Sequence, residues 1–270
     1  MKLAVTLRNM GPQSTREIML AGARRAESLG FESVWITDHI AITPDDSEGS
    51  DGRYTDPLTT LAWLAGATTS IKLGVGVLVV PYRPPLPTAK AIATVQELSG
   101  NRLLLGLGVG WMDAEFRALG LNRHLRGRQT DAALEFLEMC FSSDRVTSNG
   151  QEFLFRPRPA PPPIYIGGRA PHALRRAIRF GHGWLPMARD PESLGRDLKT
   201  YGVLAREAGK QPGPVTALAG LPLDAPDRAR AAISAYEALG IERLVCAARY
   251  RTLEEYESWL GMLAALRSDD

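Results

Sequence analysis

Short apolar runs alternate with helix-like segments along most of this chain, and that alternation restricts the possible folds more than any other feature. The eight runs cover about residues 2–7, 33–37, 72–80, 103–108, 163–166, 183–185, 215–218 and 243–246. Each is followed by a segment with helical periodicity or helix-start signals. Eight strand-then-helix units with parallel-type apolar strands predict an α/β fold, a closed (β/α)8 TIM barrel rather than an open doubly wound sheet.

One stretch breaks the rhythm between the fourth and fifth strands. Residues 112–160 contain a helical segment near 128–140 and a hairpin signal at Asn149-Gly150. We therefore predict a single barrel domain over residues 1–270 with an insertion over about 112–160. A second irregular segment, residues 40–55, is rich in Asp, Ser and Gly, and loops of that length are often binding loops.

Composition excludes several classes of protein. The net charge of +2 over 270 residues is too balanced for a protein whose main partner is nucleic acid. No apolar run approaches the roughly 20 residues that span a bilayer, and no signal peptide is recognisable. Cys140 and Cys246 lack metal or redox spacing. We expect a cytoplasmic protein that binds neither membranes nor metal ions.

The clearest candidate for chemistry is Asp38-His39, which directly follows the apolar run ending at Ile36-Thr37. In a barrel of this type, catalytic side chains gather where strands end. A carboxylate beside an imidazole can fix its tautomer and tune its pKa for proton transfer. The alternative is an Asp helix cap next to an exposed His.

A second candidate is Gly167-Gly168-Arg169, between the fifth strand and a helix. Two glycines let backbone N–H groups approach a ligand, and a helix N-terminus favours an anion. A tight turn that needs two glycines is the alternative.

Arginines follow several predicted strand ends. Of 32 basic residues five are lysine, which leaves 27 arginines. Two explanations remain open: GC-rich coding, or a set of arginines that binds an anionic ligand. The candidates at one rim of the barrel are Arg8, Arg83, Arg169, Arg189, Arg249 and Arg251.

Trp111 stands at the end of the fourth strand in the glycine-rich turn Gly108-Val109-Gly110. Tryptophans are packing residues by default. At this position a flat ring would also suit the lining of a pocket for a planar cofactor.

These motifs together resemble the luciferase-like monooxygenase superfamily. The similar segments are Leu29 to His39, Leu73 to Leu78, Leu103 to Phe116, and Ile164 to Gly168 with Gly181 to Pro186, in the same order and at similar spacing. The chain looks closest to the F420-dependent oxidoreductase branch, in which an Asp-His pair follows the second strand.

The resemblance implies a barrel whose C-terminal face binds coenzyme F420 or, alternatively, FMN. It implies His39 as the acid–base or ring-contacting group and Asp38 as its orienting partner. It also implies a cis peptide bond at Gly76–Val77 against the ring, and Gly167, Gly168 and Arg169 at the cofactor phosphate.

The chain also departs from the sugar-phosphate dehydrogenases of that branch. They have an acid at the end of strand one, where this chain has Leu7 to Met10, and a second acid after strand four, where it has Trp111. Thr43 replaces their tryptophan after the Asp-His pair. The alcohol-oxidising mechanism of that group therefore does not transfer directly.

Three functional hypotheses follow. The first is an F420-dependent oxidoreductase that moves a hydride between the deazaflavin and a small organic substrate. The second is an FMN-dependent monooxygenase of the luciferase-like type, and the third is a non-catalytic flavin-binding protein. The apolar stretch Trp259 to Leu263 has two interpretations, a homodimer contact or a segment that packs on the barrel.

Overall fold

Eight parallel strands form the centre of the computed structural model, which describes residues 1–47 and 49–266. They are Lys2–Thr6 (β1), Ser33–Ile36 (β2), Lys72–Val79 (β3), Leu103–Gly108 (β4), Ile164–Gly167 (β7), Gly183–Leu185 (β8), Thr216–Ala219 (β9) and Arg243–Cys246 (β10). Two further strands, Arg145–Ser148 (β5) and Gln151–Leu154 (β6), form a separate antiparallel hairpin.

The strand order β8-β7-β4-β3-β2-β1-β10-β9 is that of a barrel. Parallel bridges Trp184 to Val215 and Met187 to Leu218 connect the two ends of the order, and the Leu218 amide donates to the Pro186 carbonyl at 2.9 Å. The (β/α)8 barrel predicted from the spacing of apolar runs is confirmed.

Nine helices surround or flank the strands within the described residues: Arg16–Ser28 (α1), Pro57–Ala67 (α2), Pro85–Leu98 (α3), Asp113–Ala118 (α4), Arg126–Ser142 (α5), His172–Phe180 (α6), Pro191–Glu207 (α7), Pro226–Ala238 (α8) and Leu253–Ala264 (α9). Several of these helices begin at N-cap residues. Asp56 caps α2 through the Thr59 amide and Asp190 caps α7 through the Ser193 amide, each with proline next. None of them has the length and apolarity of a membrane span.

The segment between β4 and β7 differs in detail from the predicted insertion. Ala133 and Leu137 of α5 line one small cavity together with Leu78 of β3 and Leu107 of β4. This helix therefore packs on the barrel as the helix of the fourth unit. The additional structure is α4 with the following 3-10 turn Arg123–Leu125, and the β5–β6 hairpin. Asn149 and Gly150 form its turn with φ of 50° and 76°.

Two clusters make up most of the hydrophobic core of the described residues, and a small third cluster consists of Val79, Tyr82 and Phe116. The larger lies between the strands and the helices. The smaller fills the inside of the barrel and consists of Ala4, Trp35, Leu104, Tyr165, Leu185 and Val245, with Val77 and Leu218 packed against it. Because these side chains fill the barrel interior, a ligand has to bind at one of its ends, and in this fold that is the C-terminal face.

The apolar stretch proposed as a dimer contact contributes mainly to the core. Leu260 and Leu263 are fully buried, while Met262 is half exposed. A homodimer stays a prediction.

Candidate active site

His39 lies just beyond the end of β2, and its partner is a buried glutamate. The Nδ1 atom of His39 is 2.9 Å from Oε2 of Glu115, a residue of α4 that is 0% exposed. The imidazole is also flanked by two aromatic rings. Tyr54 has its ring centroid 5.0 Å away and Trp111 lies edge-on at 6.3 Å. The imidazole is therefore held by a hydrogen bond at Nδ1 and packs beside two aromatic rings.

Glu115 also binds the backbone after His39 and the hydroxyl group of a tyrosine. Its carboxylate accepts hydrogen bonds from the amides of Ile40 at 2.7 Å and Ala41 at 3.0 Å, and from the Tyr82 hydroxyl at 2.8 Å. Burial alone would raise the pKa of Glu115, but the hydrogen bonds from His39, the two amides and Tyr82 lower it to about 2. The group is therefore an ionised carboxylate at neutral pH and can only accept.

That acceptor fixes the tautomer of His39. Since Glu115 has no proton to give, the Nδ1 of His39 must be the donor in their hydrogen bond. In the neutral imidazole the proton-accepting nitrogen is then Nε2. Such an arrangement suits a group that takes up and releases a proton at Nε2.

Asp38 does not have the position expected for it. Its two carboxylate oxygens bind the Arg83 guanidinium at 2.6 and 2.8 Å, and one also accepts from the Val79 amide at 2.8 Å. Burial raises the pKa of this carboxyl group, while Arg83 opposes the shift. The expectation that Asp38 orients His39 is wrong in this structure, because Glu115 does so. Asp38 instead holds the C-terminal end of β3 by accepting the hydrogen bond from the Val79 amide.

Val77 closes the top of the barrel interior. The Gly76–Val77 peptide bond is cis, as the family resemblance implied, and the β3–β4 register shifts between Val75 and Leu78. A Cβ atom on Gly108 or Gly167 would lie 2.3 Å from a methyl group of Val77. The two glycines therefore let the valine side chain lie across the barrel mouth. Its role as an apolar floor for a flat cofactor stays a prediction.

Trp111 is exposed to 59% of its surface, at the end of β4. The Nε of Arg123 donates to its backbone carbonyl at 3.1 Å, which ties the Trp111 turn to the 3-10 turn. The ring is thus exposed and lies beside the His39 ring. A role for Trp111 in lining a cofactor pocket stays a prediction.

Gly167 and Gly168 have internal reasons to be glycine. Gly167 faces Val77, and Gly168 has a φ of 125°, which other residues rarely adopt. The tight-turn interpretation is therefore sufficient for the sequence pattern. The pair nevertheless lies at the C-terminal end of β7 and shortly before α6, with Gly168 and Arg169 exposed. A phosphate site here remains a prediction.

The arginines that were predicted at the barrel rim differ in their surroundings and do not form one group of free cations. Arg83 is bound to Asp38 and Asp56, so its charge is neutralised within the protein. Arg8 keeps its Nε buried without a hydrogen-bond partner among residues 1–47 and 49–266. The exposed members are Arg169, Arg189, Arg249 and Arg251.

Asn9 occupies the stretch after β1 where the sugar-phosphate dehydrogenases have an acid. Its amide nitrogen donates to the Thr37 and Thr55 carbonyls at 2.9 and 3.0 Å, and its oxygen accepts from the Thr37 amide at 3.0 Å. The residue is fully buried. It joins the ends of β1 and β2 to the segment before α2.

Comparison with known proteins shows the family. The luciferase-like monooxygenase family model matches residues 4–270. The chain therefore belongs to the luciferase-like monooxygenase family and is an oxidoreductase. A similar curated protein is the F420-dependent hydroxymycolic acid dehydrogenase of Mycobacterium tuberculosis, 31% identical over 203 residues that are 72% of this chain and 55% of that protein.

Solved structures share the fold. An F420-dependent secondary alcohol dehydrogenase in complex with an F420-acetone adduct has a TM-score of 0.77 at 17% identity and covers 99% of each chain. The oxygenating constituent of 3,6-diketocamphane monooxygenase from Pseudomonas putida, in complex with FMN, has a TM-score of 0.76 at 16% identity over 100% of this chain and 98% of that one.

The valine floor gives a first testable expectation. We expect Gly167→Ala to lower the free energy of unfolding by about 1–3 kcal/mol, because the added methyl group overlaps Val77 and forces it to move. Denaturant unfolding measures this effect. Gly66→Ala in α2 is the control, since its Cβ would meet nothing within 4 Å and alanine is the better helix former. Equal stability of Gly167→Ala and the unmodified chain would contradict the close contact.

Proposed function

We propose that this protein is an F420-dependent oxidoreductase that moves a hydride between the deazaflavin and a carbon atom of a small organic substrate. The observation that carries the proposal is the His39–Glu115 pair beside the barrel mouth, which leaves Nε2 of His39 for proton transfer. The similarity to an F420-dependent dehydrogenase over 72% of the chain supports the choice of cofactor.

The residues at the C-terminal face suit such a cofactor. Val77, with Gly76 before it, supplies an apolar floor for a flat ring system, and Trp111 stands at its edge. Gly167, Gly168 and Arg169 would hold the phosphate near the start of α6, where backbone N–H groups favour an anion. The buried Nε of Arg8 is a hydrogen-bond donor that lacks a partner among the described residues, as expected beside an anionic ligand.

The protein's part in the reaction is proton transfer and orientation. Bound F420 supplies or accepts the hydride at C5 of its deazaflavin ring. When a carbonyl carbon is reduced, its oxygen gains a proton, and His39 donates that proton from Nε2. When an alcohol is oxidised, Nε2 accepts the hydroxyl proton. Donation from Nε2 uses the form of His39 that carries a proton on both nitrogens, and the ionised Glu115 carboxylate accepts from Nδ1 in either direction of the reaction.

An FMN-dependent monooxygenase is the second candidate. The fold is shared with an FMN-bound monooxygenase at a TM-score of 0.76, and both cofactors carry a ribityl phosphate that suits the same loop. The two differ in the acidic glutamyl tail of F420, which calls for cations at the rim.

Equilibrium binding of oxidised F420 and of FMN to the purified chain tests the choice. We expect micromolar or tighter binding of F420 and much weaker binding of FMN. Arg169→Gln should weaken F420 more than FMN, whereas Arg206→Gln on the exposed surface of α7 is the control. The reverse preference would contradict the proposal and favour oxygen-dependent chemistry. Tight binding of either cofactor without turnover of any substrate would favour a non-catalytic flavin-binding protein.

A further inference from the structure

Each oxygen of the Glu115 carboxylate accepts two hydrogen bonds. Oε1 accepts from the amides of Ile40 and Ala41. Oε2 accepts from Nδ1 of His39 at 2.9 Å and from the Tyr82 hydroxyl at 2.8 Å. An ionised carboxylate has about four lone-pair positions, and the Glu115 side chain is 0% exposed, so these donors saturate it. His39 and Tyr82 therefore share a single oxygen atom.

The ring of Tyr82 is held in place independently of that hydrogen bond. Tyr82 ends the short 3-10 helix Val80–Tyr82 that follows β3, and it is 7% exposed. Its ring packs edge-on to Phe116 with the centroids 5.1 Å apart, and Phe116 follows Glu115 on α4. A phenylalanine would make the same ring contact. What the tyrosine adds is the hydrogen bond to Glu115.

The Tyr82 hydroxyl is a donor to the carboxylate and not a second anion beside it. Burial and the hydrogen bond to Glu115 raise the pKa of Tyr82 well above its ordinary value, and the charge of Asp38 adds to this shift. Arg83 opposes it, but its guanidinium is bound to Asp38. A neutral phenol therefore faces Oε2 at neutral pH.

Two donors on one oxygen compete for its negative charge. The hydrogen bond from Tyr82 draws charge from Oε2, so the bond from Oε2 to the Nδ1–H group of His39 becomes weaker. The ring faces this carboxylate at Nδ1 and packs beside Tyr54. A weaker bond at Nδ1 stabilises the doubly protonated ring less, so Nε2 releases its proton more readily.

We propose that Tyr82 is a positioning residue that sets how strongly Glu115 holds the Nδ1–H group of His39, and thereby how readily Nε2 gives up its proton. Tyr82 acts through Glu115 and needs no contact with cofactor or substrate. The consequence for catalysis rests on the proposed function, in which Nε2 donates a proton to a carbonyl oxygen. The hydroxyl group of Tyr82 then favours the reducing direction.

The proton resonance of the His39 Nδ1–H group reports this bond in the full chain without cofactor or substrate. A stronger hydrogen bond moves such a resonance downfield. We expect Tyr82→Phe to move it downfield, because Nδ1–H no longer shares Oε2 with the hydroxyl. At a pH where the unmodified chain shows both ring forms, the fraction protonated at Nε2 should rise in the variant. Histidine labelled at its ring nitrogens gives both readings, and His39→Ala identifies the signals.

A fluorinated residue tests the opposite sign. Replacement of Tyr82 by 3-fluorotyrosine nearly preserves its shape but makes the phenol more acidic, so it donates more strongly to Oε2. The Nδ1–H resonance should then move upfield, and the fraction protonated at Nε2 should fall. This substitution also carries the test if Tyr82→Phe does not fold.

Tyr201→Phe is the matched control, because it also removes a buried hydroxyl group. Tyr201 lies on α7, is 1% exposed and accepts from the Gly213 amide at 3.0 Å. We expect the His39 signals to stay in place. Unchanged His39 signals in Tyr82→Phe, shifts of the same sign in both Tyr82 substitutions, or an equal shift in Tyr201→Phe would overturn the proposal. Opposite shifts in a chain that binds neither F420 nor FMN would support the role of Tyr82 and refute the proposed function alone.

Discussion

His39→Ala is expected to lower the rate of hydride transfer by about 10²–10⁴-fold while F420 binding changes little. The physical reason is that the reacting oxygen loses its proton donor, whereas the floor at Val77 and the Gly167-Gly168 turn are untouched. Steady-state turnover followed by F420 absorbance gives the rate, and equilibrium fluorescence titration gives the affinity.

His124→Ala is the matched control, since His124 is exposed in the 3-10 turn and its backbone amide is bonded to Asn122. We expect turnover close to that of the unmodified chain. Equal losses of rate and of cofactor affinity in His39→Ala would contradict the acid–base role and make His39 a clamp for the cofactor.

Glu115→Gln separates the proton-transfer role from simple contact. A glutamine keeps the shape but replaces the ionised carboxylate that holds Nδ1–H, so the tautomer of His39 is no longer fixed. We expect a lower kcat with an unchanged dissociation constant for F420. Nitrogen chemical shifts of the His39 ring should report a proton on Nδ1 in the unmodified chain and a mixture of tautomers in the variant. An unchanged spectrum would remove Glu115 from its positioning role.

The barrel could be predicted because its signal is local and repeated. Eight apolar runs separated by capped helices admit few arrangements, and the structure differs from the prediction in the segment after β4. There α5 contains Ala133, Leu134 and Leu137, buried against the barrel, although its surroundings have no strand-helix rhythm. Because α4 and the hairpin interrupt the strand-helix pattern, the sequence does not distinguish the fourth barrel helix from the additional structure on either side of it.

The partners inside the site could not be predicted, since they join residues that are distant in sequence. Asp38 and His39 are adjacent, but in extended chain consecutive side chains point to opposite sides, so their pairing was physically unfavourable. Glu115 is 76 positions beyond His39 and Tyr82 lies between them. The signal for Glu115 in the sequence is its place beside Phe116 on the short helix after Trp111. Composition alone does not distinguish such a residue from a solvated glutamate.

The opposite end of the barrel offers the second large effect. Arg243, 1% exposed at the start of β10, binds both oxygens of Glu32 at 2.7 and 2.8 Å. It also donates to the Tyr165 hydroxyl at 3.0 Å and to Thr216 at 2.9 Å. Glu32, Thr216 and Arg243 lie at or near the amino-terminal ends of their strands. Tyr165 lies within β7, and its hydroxyl group extends to the same end of the barrel. In this fold that end contributes to stability and not to catalysis.

We expect Arg243→Met to lower the free energy of unfolding by about 3–5 kcal/mol, because it leaves the Glu32 carboxylate without its main partner. Arg145→Met is the control: the Arg145–Glu152 ion pair is exposed on the hairpin, and such pairs contribute roughly 0–1 kcal/mol. Denaturant unfolding at neutral pH compares the two variants. Similar losses would contradict the assignment of Arg243 as the centre of a buried network.

The same variant should change the response of stability to acid. Burial by itself raises the pKa of Glu32, but the hydrogen bonds and charge of Arg243 and the contacts with Ser33 and Lys72 lower it from 4.5 to about 2. A depressed carboxyl pKa stabilises the fold above the unfolded-state value, and this contribution is lost as the pH falls from about 4.5 towards 2. The loss is about 3 kcal/mol at 1.36 kcal/mol per pH unit.

Without Arg243 the pKa of Glu32 returns towards its ordinary value, so Arg243→Met should lose less stability than the unmodified chain between pH 5 and pH 2.5. Glu27 and Glu115, whose pKa values are also lowered to about 2, keep their share of the acid response in both proteins. The difference between the two stability curves therefore reports the two carboxylates beside Arg243, which are Glu32 and, at 3.7 Å, Glu242. Parallel curves over this range would mean that the charge of Arg243 does not lower the pKa of Glu32. The network would then stabilise the amino-terminal end of the barrel through packing alone.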